Sequence, residues 1–137
     1  MKDKHIKMYM DIARVLAGAS PATRLKVGAV IVKKNNIIST GYNALPEALD
    51  GSCEDETGKT RSEVRHAEEN ALRSLVRTHE SAVGSTMFVT HGCCLQCAID
   101  IVDAGVVKVY YKTEYRDDAG LVYLKDNGVD VVKYVLQ

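Results

Sequence analysis

The sequence predicts a single α/β domain built on a mixed five-stranded sheet, and three observations carry that prediction. Segments with helical periodicity alternate with short β-branched runs along the chain. Two of these runs, Val27 to Val32 and Ile37 to Gly41, are separated by only a short polar turn, which reads as an antiparallel hairpin. After the hairpin a helix precedes every strand, the pattern that gives parallel strands with crossovers packed on the sheet faces. At 137 residues the chain suits one hydrophobic core and is too short for two ordinary domains, so residues 1–137 are read as one.

The first helix spans Ile6 to Leu16, where Ile6, Tyr9, Met10, Ala13, Leu16 and Ala17 share a face; Gly18 to Pro21 breaks it. The hairpin turns at Lys34, Asn35 and Asn36. A polar stretch from Ala44 to Glu63 is expected as a surface loop. A second helix, His66 to Thr78, carries Ala67, Ala71, Leu72 and Leu75 at helical spacing and acids in its first turn. Met87 to Thr90 is a short strand, Cys94 to Ala104 a third helix closed by Gly105, and Val106 to Tyr111 another strand. Asp117 to Lys125 gives a last helix, stopped by Asn127 and Gly128 before the strand Val129 to Val135. In such a sheet the loops at the carboxyl ends of the strands, where the second and third helices begin, are the expected place for a site.

Composition narrows the function classes. Apolar residues make up 46% and charged residues 26%, ordinary values for a globular domain, which argues against disorder and a fibrous role. Eighteen cationic side chains are balanced by eighteen anionic ones, and a formal net charge of zero argues against binding long nucleic acid. No run reaches membrane-spanning length and the start carries no export pattern. Four cysteines, three of them packed as Cys93, Cys94 and Cys97, suit a metal better than a disulfide scaffold; a reducing, cytoplasmic setting is expected.

Both helix starts carry chemistry. His66-Ala67-Glu68 opens one and Cys94-Leu95-Gln96-Cys97 the other, and together they offer an imidazole and two thiolates, which leave the fourth tetrahedral position of zinc open. Glu68, two residues from the candidate ligand His66, falls near the metal without coordinating it, where a carboxylate can move protons. The alternative is a closed structural zinc site completed by Cys93 or Cys53, which leaves Glu68 without work. The spacing of Cys93, Cys94 and Cys97 does not by itself choose which pair binds.

The pairing of H-x-E with C-x-x-C is the described signature of zinc nucleobase deaminases, in which an activated water attacks C4 of cytosine or C6 of adenine. More of the chain resembles the deoxycytidylate deaminase family within the cytidine deaminase superfamily. The likeness runs through Lys26-Val27-Gly28-Ala29-Val30-Ile31-Val32, Ile37-Ile38-Ser39-Thr40-Gly41-Tyr42-Asn43 with Pro46, and His66-Ala67-Glu68-Glu69-Asn70-Ala71. It continues through Cys94 and Cys97 to Tyr110-Tyr111-Lys112-Thr113-Glu114-Tyr115-Arg116-Asp117.

The resemblance implies a three-layer α/β/α cytidine deaminase-like fold, one catalytic Zn2+ per chain, and conversion of dCMP to dUMP and ammonia for thymidylate synthesis. It also implies a homo-oligomer, commonly a hexamer. By the same matching Asn43 contacts the nucleoside, and Arg24, Lys26 and Arg116 are candidates to hold the phosphate, with Tyr115 a candidate to flank the substrate. Three departures stand out. Cys93 replaces the usual proline before the first cysteine of the pair; Ala44 and Ala48 replace two glycines beside Pro46; and the loop offers only Cys53 toward a second zinc. Many family members bind dCTP and dTTP as effectors near that loop, and the loss of both glycines argues against such control here.

Competing readings are a deaminase of the same fold acting on dCTP or on adenosine in transfer RNA, and a non-enzymatic zinc module for which Glu68 is dispensable. His5 and His79 are expected at the surface, with His91 a candidate for lining the site mouth. Most of the seven tyrosines are expected as strand residues.

Overall fold

Helix α1 (Asp3–Gly18) buries Tyr9, Met10, Ala13 and Ala17, the stripe expected from its periodicity. The chain then enters β1 (Gly28–Lys33) and returns along β2 (Asn36–Tyr42). Lys34 and Asn35 form the two-residue turn with φ of 50° and 64°, the left-handed pair that matches hairpin twist. Next come α2 (Ala67–Ser74), β3 (Thr86–His91), α3 (Leu95–Ala104), β4 (Lys108–Thr113), α4 (Ala119–Asp126) and β5 (Asp130–Lys133). The computed structural model describes residues 1–49 and 51–136.

The five strands are ordered β2-β1-β3-β4-β5. Strand β1 is antiparallel to both β2 and β3, whereas β3, β4 and β5 are mutually parallel. The expected mixed sheet is therefore present, with β1 reversed between two strands that share a direction. Three crossovers, β2 to β3, β3 to β4 and β4 to β5, step the same way across the sheet, and right-handed connection then requires α2, α3 and α4 to lie on one face.

Side-chain alternation divides the core accordingly. Val30, Val32, Phe88 and Tyr110 pack against Tyr9, Met10 and Ala13 of α1, with Phe88 stacked on Tyr110 at 4.9 Å between ring centroids. On the other face Ala29, Ile31, Met87, Val89 and Val109 meet Ala67 and Ala71 of α2, Ala98 and Ile101 of α3, and Leu121 and Leu124 of α4. Two glycines set how closely these layers approach. A Cβ on Gly28 would run into the backbone of Ala13 and Ala17, and one on Gly41 into that of Ala67 and Ala71.

Several element ends differ from expectation. The second helix tightens into a 3-10 turn at Leu75–Arg77 and stops there, and β4 starts at Lys108 after the left-handed Gly105 has redirected the chain. The segment 44–65, expected as a plain surface loop, is tied at its base by an Ala44–Arg65 bridge and buries Cys53 to 1% exposure. Asp55 Oδ1 accepts hydrogen bonds from Thr57 N, Thr57 Oγ1 and Lys59 N, which gives the segment a turn of its own. No helix of the described residues is long and apolar enough to cross a membrane.

Candidate active site

The carboxyl ends of β2, β3 and β4 lie along one edge of the sheet, and the first turns of α2 and α3 converge above them. A cavity of about 730 Å³ opens there, lined by Ala22, Arg24, Asn43, His66, Glu68 and Cys94 among others.

His66 and Cys94 occupy equivalent places, each the extended residue that caps its helix. Glu69 Oε1 accepts from the His66 N–H at 3.2 Å, holding the start of α2, while Cys94 Sγ accepts from the Cys97 N–H at 3.5 Å. His66 Nδ1 then lies 3.2 Å from Cys97 Sγ and 3.4 Å from Cys94 Sγ. A tetrahedral zinc with ordinary Zn–N and Zn–S bonds would separate such atoms by roughly 3.6 Å. The donor set thus fits zinc after an outward shift of a few tenths of an ångström. Among the described residues this is the one such group whose ligand atoms all lie within 4.8 Å of one another.

Cys93 is not part of it. It is 1% exposed and packs in the core under α3, so the spacing ambiguity resolves to Cys94 and Cys97 as the thiols facing His66. Burial pushes the Cys93 thiol up to about 12, away from the thiolate form.

The three grouped side chains share protons. A hydrogen bond from Cys97, against the opposing effect of burial, brings Cys94 down to about 4. The hydrogen bond to Cys94 raises His66 to about 9, again against burial, and Cys97 is pushed upward by its bond to Cys94 and by burial. The two thiols are thus driven apart, Cys94 toward the thiolate and Cys97 toward the neutral thiol, because each hydrogen-bonds to the other and a second negative charge beside the first is disfavoured. Glu68, 4% exposed at the second position of α2, is raised to about 7 by burial.

The remaining nominated residues divide. Arg24, Asn43, Tyr115 and Arg116 line the cavity; Lys26 does not, although its neighbours Leu25 and Val27 do. Asn43 is occupied on both ends of its carboxamide: Oδ1 accepts from Val27 N at 2.8 Å and Nδ2 donates to Leu25 O at 2.7 Å. Arg116 stands 5.8 Å from the Tyr115 ring centroid, a cation–π arrangement.

Sequence reasoning missed Glu54, Lys59 and Thr60, which line the cavity from segment 44–65. Glu54 takes the N–H groups of Thr23 and Arg24 at 3.2 and 3.3 Å, clamping the segment over the Arg24 wall. No local motif marks this contact, which joins residues about thirty positions apart.

Known proteins match this arrangement. The family profile described as the cytidine and deoxycytidylate deaminase zinc-binding region covers residues 3–113. The chain belongs to the cytidine and deoxycytidylate deaminase family. It is 34% identical over 120 residues to deoxycytidylate deaminase of Mycobacterium phage D29, covering 77% of this chain and 92% of that one. The uncharacterized deaminase of the luxG 3′ region in Aliivibrio fischeri is 35% identical over 118 residues, 85% of this chain and 78% of the relative. The crystal structure of dCMP deaminase from the cyanophage S-TIM5, in complex with dCMP and dUMP, has a TM-score of 0.95 at 41% identity and covers 98% of this chain and 99% of its own. The cofactor of this deaminase is Zn2+, in keeping with the family region and the His66, Cys94 and Cys97 group.

Proposed function

We propose that this protein deaminates dCMP by hydrolysis, giving dUMP and ammonia. The observation that carries the reading is the junction, in one cavity, of a His/Cys/Cys zinc group, a buried carboxyl and a basic mouth. The likeness to dCMP deaminases extends well beyond the metal motif, over 98% of the chain in the S-TIM5 comparison.

In this reading His66 Nδ1, Cys94 Sγ and Cys97 Sγ hold the metal. Zinc, when bound, supplies Lewis acidity that brings the ionisation of a water toward neutral pH. Glu68 takes a proton from the attacking water and delivers it to ring N3 while the oxygen adds at C4. The same carboxyl then carries the second proton to N4, the C4–N4 bond breaks, and ammonia leaves as the C4 carbonyl forms. Burial of Glu68 excludes bulk water from these transfers. Asn43 holds Leu25 and Val27 beside the nucleoside, Tyr115 flanks it, and Arg24 and Arg116, joined by Lys59, meet the phosphate.

Glu54 and Glu114 stand among these cations, which favours a monophosphate over the four charges of a triphosphate. The balanced net charge disfavours transfer RNA. The enzyme works as a cytoplasmic homo-oligomer supplying dUMP for thymidylate synthesis, without dCTP or dTTP control, on the strength of the family likeness and of Ala44 and Ala48 in the altered loop.

Loss of cytosine absorbance with dCMP, dCTP, deoxycytidine and cytidine tests the assignment. The expected order places dCMP first by a wide margin; equal efficiency on dCMP and deoxycytidine would remove the phosphate pocket, and preference for dCTP would change the substrate.

A further inference from the structure

One polar side chain in the cavity wall has its chemistry set by its neighbours on the sheet and has no role so far. His91 ends β3, half-buried, and lines the cavity together with Glu68, Cys94, Tyr115 and Arg116. It shares the alternation of Met87 and Val89, so it projects on the face that carries α2, α3 and the metal-ligating group.

The β1–β3 ladder ends at the Ala29–Val89 pair. The N–H of Gly28, just beyond, donates to the hydroxyl oxygen of Thr90 at 3.2 Å. That same hydroxyl lies 2.9 Å from His91 Nδ1. Thr90 is buried, and among the described residues no other acceptor is bonded to its hydroxyl, so the hydroxyl proton goes to Nδ1. An imidazole that accepts at Nδ1 carries its own proton at Nε2. Burial lowers the pKa of His91, in line with the uncharged ring that acceptance at Nδ1 requires. Among the described residues Nε2 has no hydrogen-bond partner, and it is the one ring nitrogen left for a ligand.

We propose that His91 Nε2–H is a fixed, uncharged donor to an oxygen of the bound nucleotide, with Thr90 the positioning residue that sets its tautomer. This rests on the nucleotide deaminase reading given above. The acceptor is either an oxygen of the base or sugar, or one of the 5′-phosphate. In each case a neutral donor with a locked tautomer orients the ligand without adding to the charge of the pocket.

Nitrogen-15 NMR of the zinc-loaded protein, read together with kinetics of variants, tests it. The expected result is an Nε2–H tautomer for His91, lost or mixed in Thr90→Val. His91→Leu should keep its zinc and lose about tenfold in kcat/KM, and His91→Gln, which keeps a donor, should recover most of that. A loss of equal size on dCMP and deoxycytidine places the acceptor on the base or sugar; a loss confined to dCMP places it on the phosphate. An Nδ1–H tautomer in the parent, parental kinetics of His91→Leu on both substrates, or loss of zinc from that variant would each overturn the proposal. Failure of the parent enzyme to turn over dCMP would instead overturn the reading on which it rests.

Discussion

Replacing Glu68 by glutamine separates proton transfer from everything else the residue does. The side chain is 4% exposed, at the second position of α2, and outside the set of atoms that faces the metal position. Glutamine has nearly the same volume and can still hydrogen-bond, so packing in the cavity wall and the positions of His66, Cys94 and Cys97 should survive. The amide cannot accept and release a proton in the neutral range. General acid–base catalysis contributes roughly two to four decades of rate. A carboxyl serving both transfers should sit at the upper end, and four decades correspond to about 5.4 kcal/mol of transition-state stabilisation. The expected variant therefore carries one zinc per chain by atomic absorption, unfolds at nearly the parental temperature, and loses about 10⁴-fold in kcat on dCMP. Retention of more than a few per cent of parental turnover by a zinc-loaded variant would refute the assignment. Loss of zinc along with activity would make Glu68 a ligand or a support of one.

Other outcomes follow from the same geometry. Cys94→Ser should lose both metal and activity, because a serine hydroxyl replaces thiolate on zinc poorly, whereas Cys93→Pro should keep both, since Cys93 lies in the core just ahead of the helix; zinc content of the two purified variants checks this. Zinc uptake by metal-free protein at pH 7 should release about two protons, one from His66, raised to about 9, and one from the Cys97 thiol, while Cys94 at about 4 is already ionised. Affinity must then rise with pH, and calorimetry in buffers of different ionisation enthalpy counts the protons. Gly28→Val should cost about 3 kcal/mol, or roughly 10 °C in thermal midpoint, because α1 must lift from β1 to admit the side chain. Asn43→Ala should raise KM for dCMP more than it lowers kcat, since it frees the backbone of Leu25 and Val27 beside the pocket.

The order of elements was legible because each carries its own period. The stripe of Tyr9, Met10 and Ala13 marks a helix, and the doubled β-branched runs on either side of Lys34-Asn35 mark a hairpin. The metal group was legible for a related reason: both halves sit at helix starts, where the next turn fixes the direction of the side chain, so a short motif is enough to define geometry. Helix and strand ends were less so, as at Leu75–Arg77, where the last turn tightens to 3-10 with no glycine or proline to mark the stop. Choosing among the cations required three-dimensional information. Lys26 and Lys59 are both exposed, equally charged residues of irregular segments, and the folding of segment 44–65 onto residues 23–24 brings Lys59 to the cavity, whose lining does not include Lys26.

That folding gives the mouth of the site a different construction from its floor. The floor is built from helix starts and strand ends, where regular structure fixes the direction of each side chain. The mouth is built from two irregular segments pinned to one another by side chains: Asn43 ties down Leu25 and Val27, Glu54 ties down Thr23 and Arg24, and Ser20 Oγ donates to Asn43 O at 2.6 Å. Each of these polar side chains satisfies backbone groups that no helix or sheet reaches, so their loss is felt as disorder in the wall. A substitution at the floor should therefore act on metal content or on the chemical step, and one at Asn43 or Glu54 on the affinity and identity of the nucleotide.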